Sequence, residues 1–248
     1  MKKKIVSVAL AVIMAGLAVG STLAWFMDTD SVSNVFTIGS IKIKLEENFN
    51  NMDLNRAEIL MPIVNVDKPR EDVNYVEKNA FIRNVGTNTA YVRMFIAVPR
   101  ALDDAGALHL DDSDAVAADW IKTRMTETVV ISDSVLTCEY NVYKYVYKYE
   151  LKPEKLTEMP YTSETITGAY LDHLVDLWET EEGIRFAIYD RAAGGEPQII
   201  AGYDATVPIP IYAVAQGVQV TGFENAGEIP AVTALDKAFG TGVPSFTG

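Results

Sequence analysis

The sequence predicts an all-β protein, a jelly-roll-like β-sandwich with one short C-terminal helix, preceded by a cleaved signal peptide. Three observations carry that expectation. Apolar and polar residues alternate with period two in several stretches, which marks half-buried strands. Turn chemistry separates these stretches roughly every 8–15 residues, enough for about eight or nine strands in two packed sheets. A helical period appears late in the 248-residue chain, over residues 231–239.

The elements follow in order. Lys2, Lys3 and Lys4 precede an uncharged apolar stretch from Ile5 to Val19, and Gly20-Ser21-Thr22-Leu23-Ala24 supplies a small-residue exit. A basic head, a short apolar body and a small-x-small exit form a secretory signal peptide. The apolar stretch falls short of the roughly 20 residues that span a bilayer. Cleavage between Ala24 and Trp25 is expected, with Ala18-Val19-Gly20 as a weaker second site, leaving one domain over residues 25–248. Phe36 to Leu45 alternates, with Ile41, Ile43 and Leu45 on one face and Lys42 and Lys44 on the other. Residues 46–72 are polar and irregular. Val76 to Val85 and Thr89 to Val98 flank Asn84-Val85-Gly86-Thr87-Asn88, so 76–98 reads as a hairpin. Residues 100–119 read as an acidic loop with a helical turn. Thr128 to Ile131 is a short strand, and Cys138 to Leu151, dense in tyrosine and valine, is the strongest one. Thr162 to Trp178 reads as a strand ending in a short helix. Ile184–Tyr189 and Gln198–Ile200 form a hairpin around Gly194-Gly195. Val207 to Val220 is a strand whose Pro208 and Pro210 place it early at a sheet edge. Ala231, Ala234, Leu235, Ala238 and Phe239 complete an amphipathic helix.

Composition excludes several functions. The formal charge of −13 becomes −16 once residues 1–24 leave with three lysines and no acids. So acidic a surface repels nucleic acid and anionic lipid. The single cysteine, Cys138, cannot form an internal disulfide, so packing and hydrogen bonds must hold the fold. Its place in a strand suits an inert thiol. The two histidines, His109 and His173, lack the His-Glu-x-x-His spacing of a zinc site and read as surface residues. No Gly-x-Ser-x-Gly elbow is present. Neither an enzyme nor a cofactor is expected. Asp103, Asp104 and Asp111-Asp112-Ser113-Asp114 offer oxygen ligands for calcium without the spacing of an EF-hand, and a solvated loop is the simpler reading. Tyr143, Tyr145, Tyr147 and Tyr149 share a face; a second sheet could cover it, or a sugar could stack on it.

Thr22-Leu23-Ala24-Trp25-Phe26-Met27-Asp28-Thr29-Asp30, followed by Asn34-Val35-Phe36-Thr37-Ile38-Gly39-Ser40-Ile41-Lys42-Ile43, resembles the opening of the TasA/camelysin family of Gram-positive exported proteins. Phe81-Ile82-Arg83-Asn84-Val85-Gly86 leading into Ala90-Tyr91-Val92-Arg93 is similar to the family's central segment. Tyr143 to Glu154, and Ala213-Val214-Ala215-Gln216 through Gly222-Phe223, look like its later ones. The resemblance implies export through a SipW-type signal peptidase and a secreted jelly-roll subunit of an extracellular or biofilm matrix. It implies self-association into fibres, with other matrix components as further partners and the membrane touched only before cleavage. In fibre-forming relatives the mature N-terminal segment inserts into the next subunit's sheet. Here that donor is residues 25–34, bearing Trp25, Phe26, Met27 and Val32; the alternative is that they fold back as the first strand of their own domain. Two other functions stay open: a surface adhesin binding glycans through Tyr145 and Tyr147, and a metalloprotease, the class to which camelysins have been assigned.

Overall fold

The computed structural model describes residues 27–30, 41–49, 62–111, 118–132, 137–154, 168–206, 209–223 and 227–246. They form twelve strands and two α-helices: β1 (Met27–Asp30), β2 (Ile43–Phe49), β3 (Val76–Asn84), β4 (Ala90–Pro99), α1 (Arg100–Asp104), β5 (Leu108–Asp111), β6 (Trp120–Ser132), β7 (Thr137–Tyr147), β8 (Gly168–Leu171), β9 (Val175–Thr180), β10 (Gly183–Ile188), β11 (Gln198–Asp204), β12 (Tyr212–Gln219) and α2 (Pro230–Phe239). A five-stranded sheet runs β1-β12-β4-β7-β6, a four-stranded one β2-β3-β8-β5, and a three-stranded one β11-β10-β9. Late strands slot between early ones in both larger sheets: β12 lies between β1 and β4, and β8 between β3 and β5. This Greek-key interleaving is the all-β sandwich that the sequence predicts.

The sandwich forms because the alternation is real. Ile41 and Ile43 are buried while Lys42 and Lys44 are exposed. With Ala80 and Ile82 they pack against Val92, Met94, Ile96, Tyr145 and Tyr147 of the facing sheet. A second cluster, around Leu102, Leu171, Phe186 and Tyr203, joins the three-stranded sheet to the body. The five-stranded sheet is covered on its other face too. Ala231, Ala234 and Leu235 of α2 press on Tyr91, Val146 and Val218, and Val243 and Phe246 cover Phe95 and Tyr140. All ten positions of β4 are therefore buried. Full burial of a side chain such as Phe95 or Leu235 contributes about 1.5–3 kcal/mol.

Several expectations are corrected. β3 and β4 do not pair as a hairpin; they enter opposite sheets. Asn84 makes the crossing possible. Fully buried, its Nδ2 donates to the Asn88 and Leu151 carbonyls at 2.8 and 2.9 Å, and its Oδ1 accepts from the Gly86 N–H. The expected loop at 100–119 holds α1 and the strand β5. The expected strand at 128–131 is the end of the 13-residue β6, whose pattern is hidden because most of its central positions are exposed. Residues 168–178 contain no helix: β8 and β9 meet at a turn where the Val175 N–H bonds the Asp172 carbonyl at 3.0 Å. β12 begins at Tyr212, beyond both prolines. The 184–200 hairpin and the C-terminal helix form as expected.

Candidate functional site

Three of the stretches that carried the resemblance meet at one sheet edge. Met27–Asp30 pair antiparallel with Ala215–Val218, placing Thr29 opposite Gln216 and Asp28 opposite Gly217. β12 pairs in turn with β4, so that Gln216 also faces Arg93 and Val218 faces Tyr91. In this chain, then, part of the expected donor segment occupies the edge of its own sheet. Trp25, Phe26 and Val32, with the cleavage pair Ala24 and Trp25, lie outside the described residues.

Two features hold that edge in place. The first is Arg93, fully buried on the outer face of β4. Its Nε donates to Gln216 Oε1 at 2.7 Å, one terminal nitrogen to Asp236 Oδ1 at 2.9 Å, and the other to the Gly240 carbonyl at 2.9 Å. The guanidinium also lies over the rings of Phe95 and Phe239. Burial pushes its pKa below the ordinary arginine value and the Asp236 carboxylate opposes this; an arginine stays cationic through such a shift. Arg93 thus ties β12 and the end of α2 to β4. The Ala-Tyr-Val-Arg signal contained this residue, but nothing in the sequence named its partners, 123 and 143 positions away. The second feature is Gly217. A Cβ there would lie 3.0 Å from Ile43 Cγ2 and 3.6 Å from Val92 Cγ1, so the glycine lets β2 pack closely over β12.

The tyrosine face resolves toward internal packing. Tyr145 and Tyr147 are buried between the sheets, Tyr147 against Trp120 with centroids 5.2 Å apart, and Tyr149 alone of the four is more than half exposed. Tyr143 donates to both Asp103 oxygens at 2.9 Å, and burial together with that carboxylate pushes its pKa up to about 12.

The acidic segment is tied into the fold where it is described. Asp103 and Asp104 accept from Asn141 at 2.6 and 2.8 Å, and Asp104 pairs with Arg100 and Arg124. Asp111 accepts from Arg70 and Tyr75. Asp112 and Asp114 lie outside the described residues. Cys138 is half-buried at the start of β7.

The two histidines, 64 residues apart in sequence, converge on one carboxylate. His109 Nε2 lies 3.1 Å from Asp172 Oδ2, and His173 Nδ1 lies 3.0 Å from Asp172 Oδ1. Each ring commits a nitrogen to a separate oxygen of Asp172. Among the described residues no three His, Cys, Asp or Glu side chains are grouped so as to hold a metal ion.

A model of the family described as camelysin metallo-endopeptidase matches residues 1–87, and this family includes TasA. The TasA/camelysin resemblance is thereby supported over those residues. No curated protein and no solved structure matches the chain.

Proposed function

Taking as premise that this is a TasA/camelysin-family chain, as its residues 1–87 indicate, we propose that it is a secreted structural subunit of an extracellular or biofilm matrix. Copies would join by donating residues 25–34 to the next subunit. The observation that supports the reading is the pairing of Met27–Asp30 with β12. Strand pairing is made of main-chain hydrogen bonds, so an edge that takes this segment from its own chain can take it from a second copy in the same register. Intramolecular pairing competes at an effective concentration of about millimolar. Crowding at a cell surface, or a constraint on the folded-back path, tips the balance toward exchange. Such joining is head-to-tail and does not close on itself, so it yields fibres. A SipW-type signal peptidase acts upstream: before cleavage the segment is tethered at the membrane, after cleavage Trp25 is its free end.

The same reading takes the chain as non-enzymatic. His109, on a strand, and His173, at a turn, lack the His-Glu-x-x-His spacing of a zinc-peptidase helix, and this reading takes their contacts with Asp172 as part of the fold. Chelator-sensitive degradation of casein by the purified protein would overturn it.

Negative-stain microscopy of 25–248 beside 35–248 tests the assembly. Fibres from the longer form only are expected. Fibres from both would keep the matrix role and remove strand donation; fibres from neither would remove both.

A further inference from the structure

The three-stranded sheet presents an aromatic and polar cluster that strand donation leaves unused. Asp176 and Trp178 stand two residues apart on β9 and so share a face, with Ala187 and Arg185 opposite them on β10. Tyr189, two residues beyond Ala187, meets the Trp178 ring edge-on with centroids 5.8 Å apart. Beside this pair is a cleft of about 500 Å³, lined by Tyr189, Asp176, Asp190, Arg191 and His173, and by Val64 from a distant segment. Trp120 is 6 % exposed in the core, whereas Trp178 is 38 % exposed.

The polar groups are set in place. Asp176 accepts from the Leu177 N–H at 2.9 Å and from Arg191, and the Arg191 hydrogen bond holds its carboxyl below the usual range, so it is an ionised acceptor. Arg191 lies over the Tyr189 ring at 5.7 Å and is 73 % exposed, presenting to solvent guanidinium donors beside the one that Asp176 holds. Asp190 is fixed by the Ala192 and Ala193 N–H groups at 2.9 and 3.1 Å.

We infer that this cleft binds a neutral saccharide. Tyr189 in the cleft wall and the partly exposed Trp178 ring beside it form the stacking platform for the C–H face of a pyranose, and Asp176, Arg191 and Asp190 of the lining take up its hydroxyls. A large, partly exposed aromatic is suited to a ligand that is itself apolar on one side and polar at its rim. An apolar ligand would strip water from two carboxylates without replacing their hydrogen bonds. A polyanion would meet the field of a chain carrying a formal charge of −13. A sugar hydroxyl both donates and accepts, so neighbouring hydroxyls match an acceptor and a donor side by side. The inference does not depend on polymerisation.

Its test is calorimetric titration of the purified secreted protein with cellotetraose and with tetra-N-acetylchitotetraose, backed by tryptophan fluorescence. Saturable binding of at least one is expected. Trp178→Ala and Asp176→Ala should each weaken it tenfold or more, whereas Tyr189→Phe, which keeps the ring, should change it less than threefold. Far-ultraviolet circular dichroism checks that the variants are folded. Binding of neither sugar, or binding that Trp178→Ala alters less than twofold, overturns the inference. Fibre formation should be the same in all three variants, so failure here and failure of the matrix reading are separately visible.

Discussion

The two edges of the five-stranded sheet are built on opposite principles. At one, β12 offers Tyr212-Ala-Val-Ala-Gln-Gly-Val-Gln219, a strand without a charge, and β1 lies along it. At the other, β6 is longer and carries Lys122, Arg124 and Glu127 at exposed positions, with its register broken between Arg124 and Thr128. Charges and bulges are how natural sheets keep an edge from pairing with a stranger. On the strand-donation reading proposed above, the contrast leaves one edge of the sheet suited to extension and the other guarded against it. A fibre that grows by strand addition needs one receptive edge and one that refuses, because two receptive edges would give sheets and clumps.

The largest effect should come from removing the tie beneath the receptive edge. Arg93→Met leaves Gln216, the Gly240 carbonyl and the Asp236 carboxylate without their donor. Breaking a buried pair in this way costs about 3–5 kcal/mol. Asp236 is 26 % exposed and Lys144 remains 3.9 Å away, so about 3 kcal/mol is expected, read by urea denaturation of 25–248. A loss under 1 kcal/mol would break the idea that α2 and β12 are clamped through this residue. Gly217→Val comes next. Overpacking against Ile43 and Val92 should cost about 1–3 kcal/mol and slow fibre growth in a thioflavin or light-scattering assay, whereas the near-isosteric Thr126→Val on exposed β6 should cost nothing measurable.

A smaller effect in stability but a sharper one in behaviour is expected from the guarded edge. Replacing Lys122, Arg124 and Glu127 together with threonine removes its charges. Arg124 gives up exposed ion pairs to Asp103 and Asp104, worth about 0–1 kcal/mol. Static light scattering should nonetheless rise, with lateral bundles in place of single fibres; unchanged scattering would mean that β6 is not a guarded edge. The gentlest perturbation is acid. The Asn141 hydrogen bond, with Arg124 and Arg100, holds the Asp104 pKa below the ordinary 3.8. A depressed carboxyl adds stability above its unfolded value and loses it as pH falls through the folded one. The Arg124–Asp104 pair should thus persist at neutral pH and fail only below pH 3.8. Below that pH Arg124 keeps its charge and loses its partner, so Asp104→Asn should cost about 0–1 kcal/mol at neutral pH and flatten the acid limb of the stability profile read by urea denaturation.

Much of the fold was legible because burial follows local pattern where one face of a strand meets the core. Ile41 and Ile43 against Lys42 and Lys44 show this, and so does the helical spacing of Ala231, Ala234 and Leu235. The pattern fails at the extremes. β4 is buried on both faces because α2 and the C-terminal tail return to cover it, and β6 is exposed over most of its central positions because it is an edge. In neither is burial set by neighbours in sequence. The pairing of Met27–Asp30 with Ala215–Val218 was not legible, because the two stretches lie at opposite ends of the chain.

The sequence by itself determined that this is an all-β chain, where several of its turns fall, that its net charge is acidic, and that its opening matches the TasA/camelysin pattern. Only the tertiary structure decided that β3 and β4 enter opposite sheets rather than pairing, that Tyr145 and Tyr147 face inward while Trp178 faces out, and that His109 and His173 share Asp172. It alone joined Arg93 to Gln216, Asp236 and Gly240. The division has a physical reason. Alternation and turn chemistry act over a few residues and are written locally, whereas the choice of sheet, edge and buried partner depends on which distant segment arrives to exclude water.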